Sequence, residues 1–525
     1  MFSRSVHQTI HFTCLAVAAF SMPVSIWLLS AVSIAGTVNW LLGGELRAKM
    51  RIFSGRRDML ILLSLFGMYL LWLANTSDFQ GALHELKIKL PLLFFPVVIA
   101  SSFRVSSEHL RLMLFSFIAG CMVAVGAGYL ALAGLWPVEV DNSRDLALFV
   151  QAIRLSILLN LGIFAALWMS FDNRTRSLTL RVLLAAAAAA MALFLFHLLS
   201  VTGVVIFIIL LGGTGIYLAL QKRHRITGLV FMAAAAAAVA ATVILMATTW
   251  HDLRNPSDPG ANTLRQSTLS GNSYTHYPEE TLLENGHLVW TNVCEAELRK
   301  EWNQHSTLNY DSLDMARNEL RVTLIRYISY IGMPKDSAAV AALTDYDIEN
   351  IERGFANPLY AHPGTPRAKA YELAWQADRA LKGANPSGHS VAQRLEFYRA
   401  ATGIIKKHPW SGTGTGDVRN AYIKEYSINN TPLTEGYRMR SHNQYLSFAV
   451  TFGIPGMIIA LALMLIPWLI SPNRNRYLFA VFISIIFMAM FNDDTFSSFT
   501  GATFFSYFYT LFLTVDYENE NDSRR

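Results

Sequence analysis

Charge is scarce in this chain. Of its 525 residues, 15% are Asp, Glu, Lys or Arg, where a soluble domain carries about 25%. With a hydrophobic content of 53%, this excludes a purely soluble globule and points to a polytopic membrane protein with some soluble mass. Cysteine is rarer still. Cys14 and Cys121 lie in apolar runs and Cys294 in a polar region, no pair has metal-ligand spacing, and no disulfide framework is suggested. A Walker-type phosphate loop, GxSxG, HExxH and CxxC are all missing. No cleavable leader is expected at the start: the apolar stretch continues from Ile10 to about Leu42 with no small-residue cleavage site before a polar start. Ionisable residues are few within the apolar runs, whereas an ion-coupled transporter carries some near mid-membrane. The net charge of +6 is modest and reports loop topology, not nucleic-acid binding.

What the chain does have is long apolar runs. Stretches of about 20 apolar residues mark membrane helices. They fall near 9–23, 25–43, 58–75, 87–102, 110–136, 150–170, 180–199, 201–220, 227–249, 454–471, 476–492 and 498–515. The expected fold class is all-α, with about 12 transmembrane helices. Four loops are short and basic: "ELRAKMRIFSGRRD" (45–58), "FDNRTRSLTLR" (171–181), "QKRHR" (221–225) and "SPNRNR" (471–476). The positive-inside rule puts them on the cytoplasmic side. The loops "NTSDFQGALHE" and "FNDDTFSSF" then lie outside, with a polar insert at 250–440. The expected organisation is a bundle of nine spans over 1–249, a mainly helical periplasmic domain over 250–440, an interfacial helix and three spans over 441–515, and a cytoplasmic tail over 516–525. Within the insert, "SVAQRLEFYRAATGIIKK" (390–407) reads as an amphipathic helix. Ser390 and Gln393 form a capping-box pattern, and Leu395, Tyr398, Ile404 and Ile405 form an apolar face. Two runs of six alanines, 185–190 and 233–238, suit close helix packing.

The charges that exist near the spans cluster toward their outer ends. Lys87 and Lys89 open the fourth span, Arg154 the sixth, and His197 closes the seventh. Arg394, Arg438, Arg440 and His442 come from the end of the insert, and Asp493 and Asp494 follow the eleventh span. A cationic ring at the outer face suits a lipid-linked diphosphate, whose tail sits in the bilayer and whose phosphates sit at the interface. Arginine binds phosphate bidentately and stays charged. Single lysines at such a depth more often snorkel to headgroups. His442, with an ordinary pKa near 6.5, suits proton transfer at neutral pH. A structural hydrogen bond capping the helix near Gln444 is its plainer role. The Asp493–Asp494 pair alone is weak evidence for a metal site, which needs further oxygen ligands. In "RMRSHNQYLSFAVTFGIPG" (438–456), the glycines and proline predict a break near Gly453, so that 443–452 forms a short interfacial helix before the true span.

Two stretches resemble one family. "RLEFYRAATGIIKKHPWSGTGTGD" (394–417) is similar to a pattern of Arg, an aromatic, a short helix, then Pro and Gly-x-Gly-x-Gly. "SHNQYLSFAVTFGIPGM" (441–457) is similar to His-Asn-x-Tyr-Leu followed by Gly-Ile-x-Gly. With the span layout, they identify the chain as resembling the O-antigen ligase and polymerase superfamily of bacterial envelope glycosyltransferases. The resemblance implies a GT-C-like, metal-independent, inverting transfer without cofactors, at the periplasmic face of the bacterial inner membrane. It implies a glycan on undecaprenyl diphosphate as donor and, in ligases, a sugar hydroxyl of lipid A-core as acceptor. It implies Arg394 as a diphosphate ligand and His442 as the residue activating the acceptor. Where the family often carries Ser-Arg-x-Gly, this chain has "LLSVTGVV" (199–206). Val201 and Thr202 take the arginine's place, so Arg154, Lys87, Lys89 or Arg440 is expected to supply that charge, with Arg438 alongside. An O-antigen ligase is the first reading. A polysaccharide polymerase, a protein-glycosylating relative and, in a different class, a transporter or flippase are the alternatives.

Overall fold

The computed structural model describes residues 3–516 apart from 139, 141, 256–261, 278, 363–364 and 474–475. The tail 517–525, expected to be cytoplasmic, lies outside the described residues. The chain forms two compact units. One comprises Met1–Glu139, Arg144–Met232 and Asn385–Arg525; the other comprises Val140–Ser143 and Ala233–Ala384. The last part of the polar insert, 385–440, thus folds with the first unit.

Among the described residues, seven helices are long and apolar enough to cross a membrane: Arg57–Asn75, Ser107–Leu132, Ala152–Phe171, Leu178–His197, Val201–Ala219, Lys222–Arg254 and Gln444–Ile470. An eighth counts if the bent pair Ile26–Leu42 and Leu46–Ser54 is one span. The chain is therefore a helical membrane protein. The four remaining expected spans fall on weaker helices. Arg4–Ser21 carries Arg4, His7 and His11. Pro91–Ser101 has 11 residues, Tyr477–Ala489 has 13 and Phe499–Thr514 has 16, against about 20 for a full crossing. The expected span 87–102 is shortened because the Phe79–Lys89 helix ends at Lys89 and a new one starts at Pro91. The alanine runs do not mark close helix packing: of 185–190 and 233–238, only Ala188 and Ala235 are buried.

At one end of the first unit, the basic loops meet the end of the described chain. Arg56 Nη2 donates to the Leu513 carbonyl at 3.1 Å, and Asn473 Nδ2 donates to the carbonyls of Phe512 and Val515. Val105–Ser106 pairs in parallel with Val515–Asp516, and Arg111 bridges to Asp172. The Ala152–Phe171 helix, 20 residues long, carries the structure roughly 30 Å to the other end.

At that other end sits a glycine loop. The Gln444–Ile470 helix breaks at Gly453 (φ 76°, ψ 173°), a region open essentially to glycine alone. The break frees the carbonyls of Val450 and Thr451. The N–H of Thr413 bonds the first at 2.8 Å and that of Gly414 the second at 3.1 Å, while the N–H of Ile454 bonds the Pro409 carbonyl at 2.8 Å. A Cβ on Gly412 would lie 2.3 Å from the Thr451 oxygen, and one on Gly453 would lie 2.5 Å from the Trp410 backbone. "GTGTGD" therefore replaces lost helix hydrogen bonds with loop-to-helix ones. Its far side is bound too: Thr415 Oγ1 donates to the Tyr69 carbonyl at 2.7 Å. The Asp417 carboxylate accepts from the N–H groups of Ser77 and Asp78 at 2.6 and 3.0 Å.

The Ser390–Lys407 helix matches its expected bounds, but its N-cap position falls on His389, one residue before Ser390. Its buried face is Ala392, Phe397, Ala400, Ala401 and Ile404. Leu395, expected there, is exposed, because the small Ala400 and Ala401 let the helix seat closely against Val418, Tyr422 and Val450. The second unit has its own core, built on Trp302, Tyr310, Leu324 and Ile328. Its short hairpin, Leu283–Glu284 with His287–Leu288, turns at Asn285 and Gly286, both at positive φ.

Candidate active site at His442

His442 adopts φ 50°, uncommon for a residue with a side chain. Its neighbours hold it there. Ser441 Oγ donates to the Asn443 carbonyl at 3.1 Å. Asn443 Nδ2 donates to the Phe491 carbonyl at 3.0 Å, while Asn443 Oδ1 caps the following helix at Leu446 N. The Gln444 N–H bonds the Met490 carbonyl at 2.9 Å and its side-chain oxygen accepts from Phe496 N at 2.9 Å. Tyr445 donates to the Phe487 carbonyl at 2.8 Å. Ser-His-Asn-Gln-Tyr is thus stitched, nearly residue by residue, to the end of the Tyr477–Ala489 helix and the loop after it. Strain held by such a surround is characteristic of working sites.

The charges around His442 come from three other elements. Burial lowers its pKa from the ordinary 6.5, and the cations Arg394 and Arg154 lower it further, while Asp494 opposes them. The Phe397 ring stands 5.7 Å from the imidazole. Arg394 lies on the Ser390–Lys407 helix, next in electrostatic terms to Arg144. Arg154 lies in the first turn of the Ala152–Phe171 helix, and its Nε is buried without a hydrogen-bond partner. Neither Arg154 nor Arg394 makes a hydrogen bond or ion pair to any described residue. Asp494 is buried and accepts from Ser447 Oγ at 2.6 Å. Burial raises the Asp493 carboxyl to about 6, with Asp494 adding to the rise and Arg154 opposing it.

The remaining expected cations are placed differently. Arg440 Nη2 donates to Glu85 Oε1 at 2.6 Å, and Lys89 bonds the other oxygen of Glu85. Burial alone raises the Glu85 carboxyl, but Lys89 and Arg440 together hold it at about 2. Lys89 is 3% exposed and its ammonium stands 5.0 Å over the Tyr69 ring. Arg438 is exposed and its Nε donates to the Leu433 carbonyl at 3.1 Å. Lys87 is exposed. His197 is at hydrogen-bond distance from Tyr129, 3.2 Å. In "LLSVTGVV", Ser200 caps the Val201–Ala219 helix and lies 2.9 Å from Ser156, two residues beyond Arg154. The segment lacking an arginine is therefore packed against the helix turn that carries one.

Glu85 and Arg144 were not singled out from the sequence. The i,i+4 pair Glu85–Lys89 is a readable signal; the bond from Glu85 to Arg440 spans 355 residues and leaves none.

Residues 354–461, which include Arg394, the glycine loop and His442, match the family described as O-Antigen ligase. That stretch of the chain is similar to the O-antigen ligase family. No curated protein matches the chain. The match supports ligase- or polymerase-type function in general and a glycosyltransferase-like enzyme. The match ends inside the Gln444–Ile470 helix and takes in its break at Gly453. Glu85, Arg154 and Asp494 lie outside it.

Proposed function

We propose that this protein, similar over 354–461 to the O-antigen ligase family, is an O-antigen ligase. It transfers a glycan from undecaprenyl diphosphate to a sugar hydroxyl of lipid A-core, at the periplasmic face of the bacterial inner membrane. The observation that carries this reading is the pair Arg154 and Arg394: two arginines without a hydrogen-bond or ion-pair partner among the described residues, both within electrostatic reach of His442 at its positive φ. Unpaired guanidinium groups match a diphosphate. They supply the charge that the "LLSVTGVV" segment lacks.

In the proposed step, the acceptor hydroxyl attacks the anomeric carbon opposite the diphosphate. The new glycosidic C–O bond forms as the bond from carbon to phosphate oxygen breaks, and the electron pair leaves with the diphosphate. Arg154 and Arg394 stabilise the charge developing there. His442 takes the hydroxyl proton. A transporter reading calls for charges midway along the spans; Arg154 instead stands at the third position of its helix.

The test is transfer in vitro from a lipid-linked glycan to purified core lipid. Arg154→Ala and Arg394→Ala are expected to lower turnover at least a hundredfold, and His442→Ala to abolish it. Retained transfer by His442→Ala sinks the base assignment. In a deletion strain, free core lipid beside intact lipid-linked polymer supports the ligase. Loss of the polymer itself selects the polymerase reading instead.

A further inference from the structure

The Arg440–Glu85–Lys89 group is built unlike a simple salt bridge. One carboxylate, 6% exposed, serves two cations. The two cations differ in what remains open to them. Lys89 is buried, bonded to Glu85 and laid over the Tyr69 ring, so it has no face left for a ligand. Arg440 keeps a side chain 32% exposed. The guanidinium is gripped by Glu85 through one nitrogen, Nη2, and its other nitrogens bond no described residue. Asp494, which also acts on His442, acts electrostatically on Arg440 as well. The group sits beside the His442 site, and Asp494 supplies a second carboxylate that acts on both cations.

We propose that Glu85 is a positioning residue. Anchored by Lys89, it fixes the Arg440 guanidinium so that its other nitrogens meet the donor diphosphate. Lys89 is then the internal anchor of this arm and not a diphosphate ligand. The inference rests on the diphosphate-donor reading above.

The experiment measures donor KM, acceptor KM and kcat for the full-length protein in detergent or vesicles, with an undecaprenyl-diphosphate-linked glycan and core lipid. Glu85→Gln keeps the shape and removes the charge. It is expected to raise donor KM about tenfold, the equivalent of one charge-assisted hydrogen bond, and to leave acceptor KM within about twofold. Glu85→Asp is expected to recover part of the loss. In an Arg440→Ala background, Glu85→Gln is expected to add less than about twofold, because it acts through Arg440. An unchanged donor KM in Glu85→Gln, or multiplying effects in the double variant, overturns the positioning role. If Glu85→Gln does not fold, Glu85→Gln with Lys89→Met removes both buried charges together; a folded double variant with wild-type donor KM equally overturns it. Wild-type protein that transfers nothing from this donor overturns the diphosphate reading and this inference with it. Wild-type transfer with an unaffected Glu85→Gln sinks this inference alone.

Discussion

A base at His442 must be neutral before it can accept a proton, and its surroundings keep it so. Burial and the two arginines favour the uncharged ring; only Asp494 favours the imidazolium. The acid limb of kcat/KM is therefore expected below pH 6.5, the ordinary histidine value. Asp494→Asn should move that limb to still lower pH, since it removes the one charge holding the proton on. A wild-type limb at or above pH 6.5 contradicts this. Asp493 behaves in the opposite sense. Its folded pKa of about 6 lies above the ordinary carboxylate value, so its contribution to stability is present in acid and is lost as pH rises through about 6. Asp493→Asn should then raise Tm by a few degrees at pH 7.5 and flatten the dependence of Tm on pH between 4 and 7, as read by thermal unfolding. His442 and Arg394 were legible in the sequence because they sit in motifs. The freedom of Arg154 was not, because whether an arginine finds a carboxylate depends on residues remote in the chain. Lys89 and Arg440 show the reverse outcome, both joined to a carboxylate in the structure.

At the scale of elements, the Gly453 break was readable from Gly-Ile-Pro-Gly, and the helix over 390–407 from its apolar spacing. What repairs the break was not readable. Glycine-rich runs commonly signal phosphate loops or linkers, yet here Gly412 and Gly414 bring their backbone against the freed carbonyls of Val450 and Thr451. This clamp fixes where the Gln444–Ile470 helix starts, and so where His442 stands. Gly453→Ala places a Cβ 2.5 Å from the Trp410 backbone at a φ of 76°. Conformational strain alone is expected to cost about 1–3 kcal/mol, lowering Tm and turnover together. Gly67→Ala meets nothing within 4 Å and serves as the control, with Tm unchanged or slightly raised. Equal Tm values for the two variants would falsify the clamp as a structural necessity.

For the molecule as a whole, the loops of the first unit gather at two ends. The basic loops join residues 513–516 at one, and the glycine loop, His442 and the 490–496 segment share the other. Read with the positive-inside rule, this predicts that Arg438→Cys, in a background lacking Cys14, Cys121 and Cys294, reacts with an impermeant maleimide from the periplasm, whereas Lys222→Cys does not. Labelling of both or of neither refutes that sidedness. The sequence by itself determined that this is a helical membrane chain, which segments are apolar, and which short motifs carry an arginine, a glycine run and a histidine. Those properties follow from local composition and spacing. The tertiary structure alone decided that the expected spans over 87–102, 476–492 and 498–515 are short helices, that 385–440 folds with the first unit, and that Glu85 takes up Arg440 and Lys89 while Arg154 and Arg394 stay open. Each of these depends on burial and on partners far away in the chain, and pairing of charge at a distance leaves no periodicity for a sequence to display.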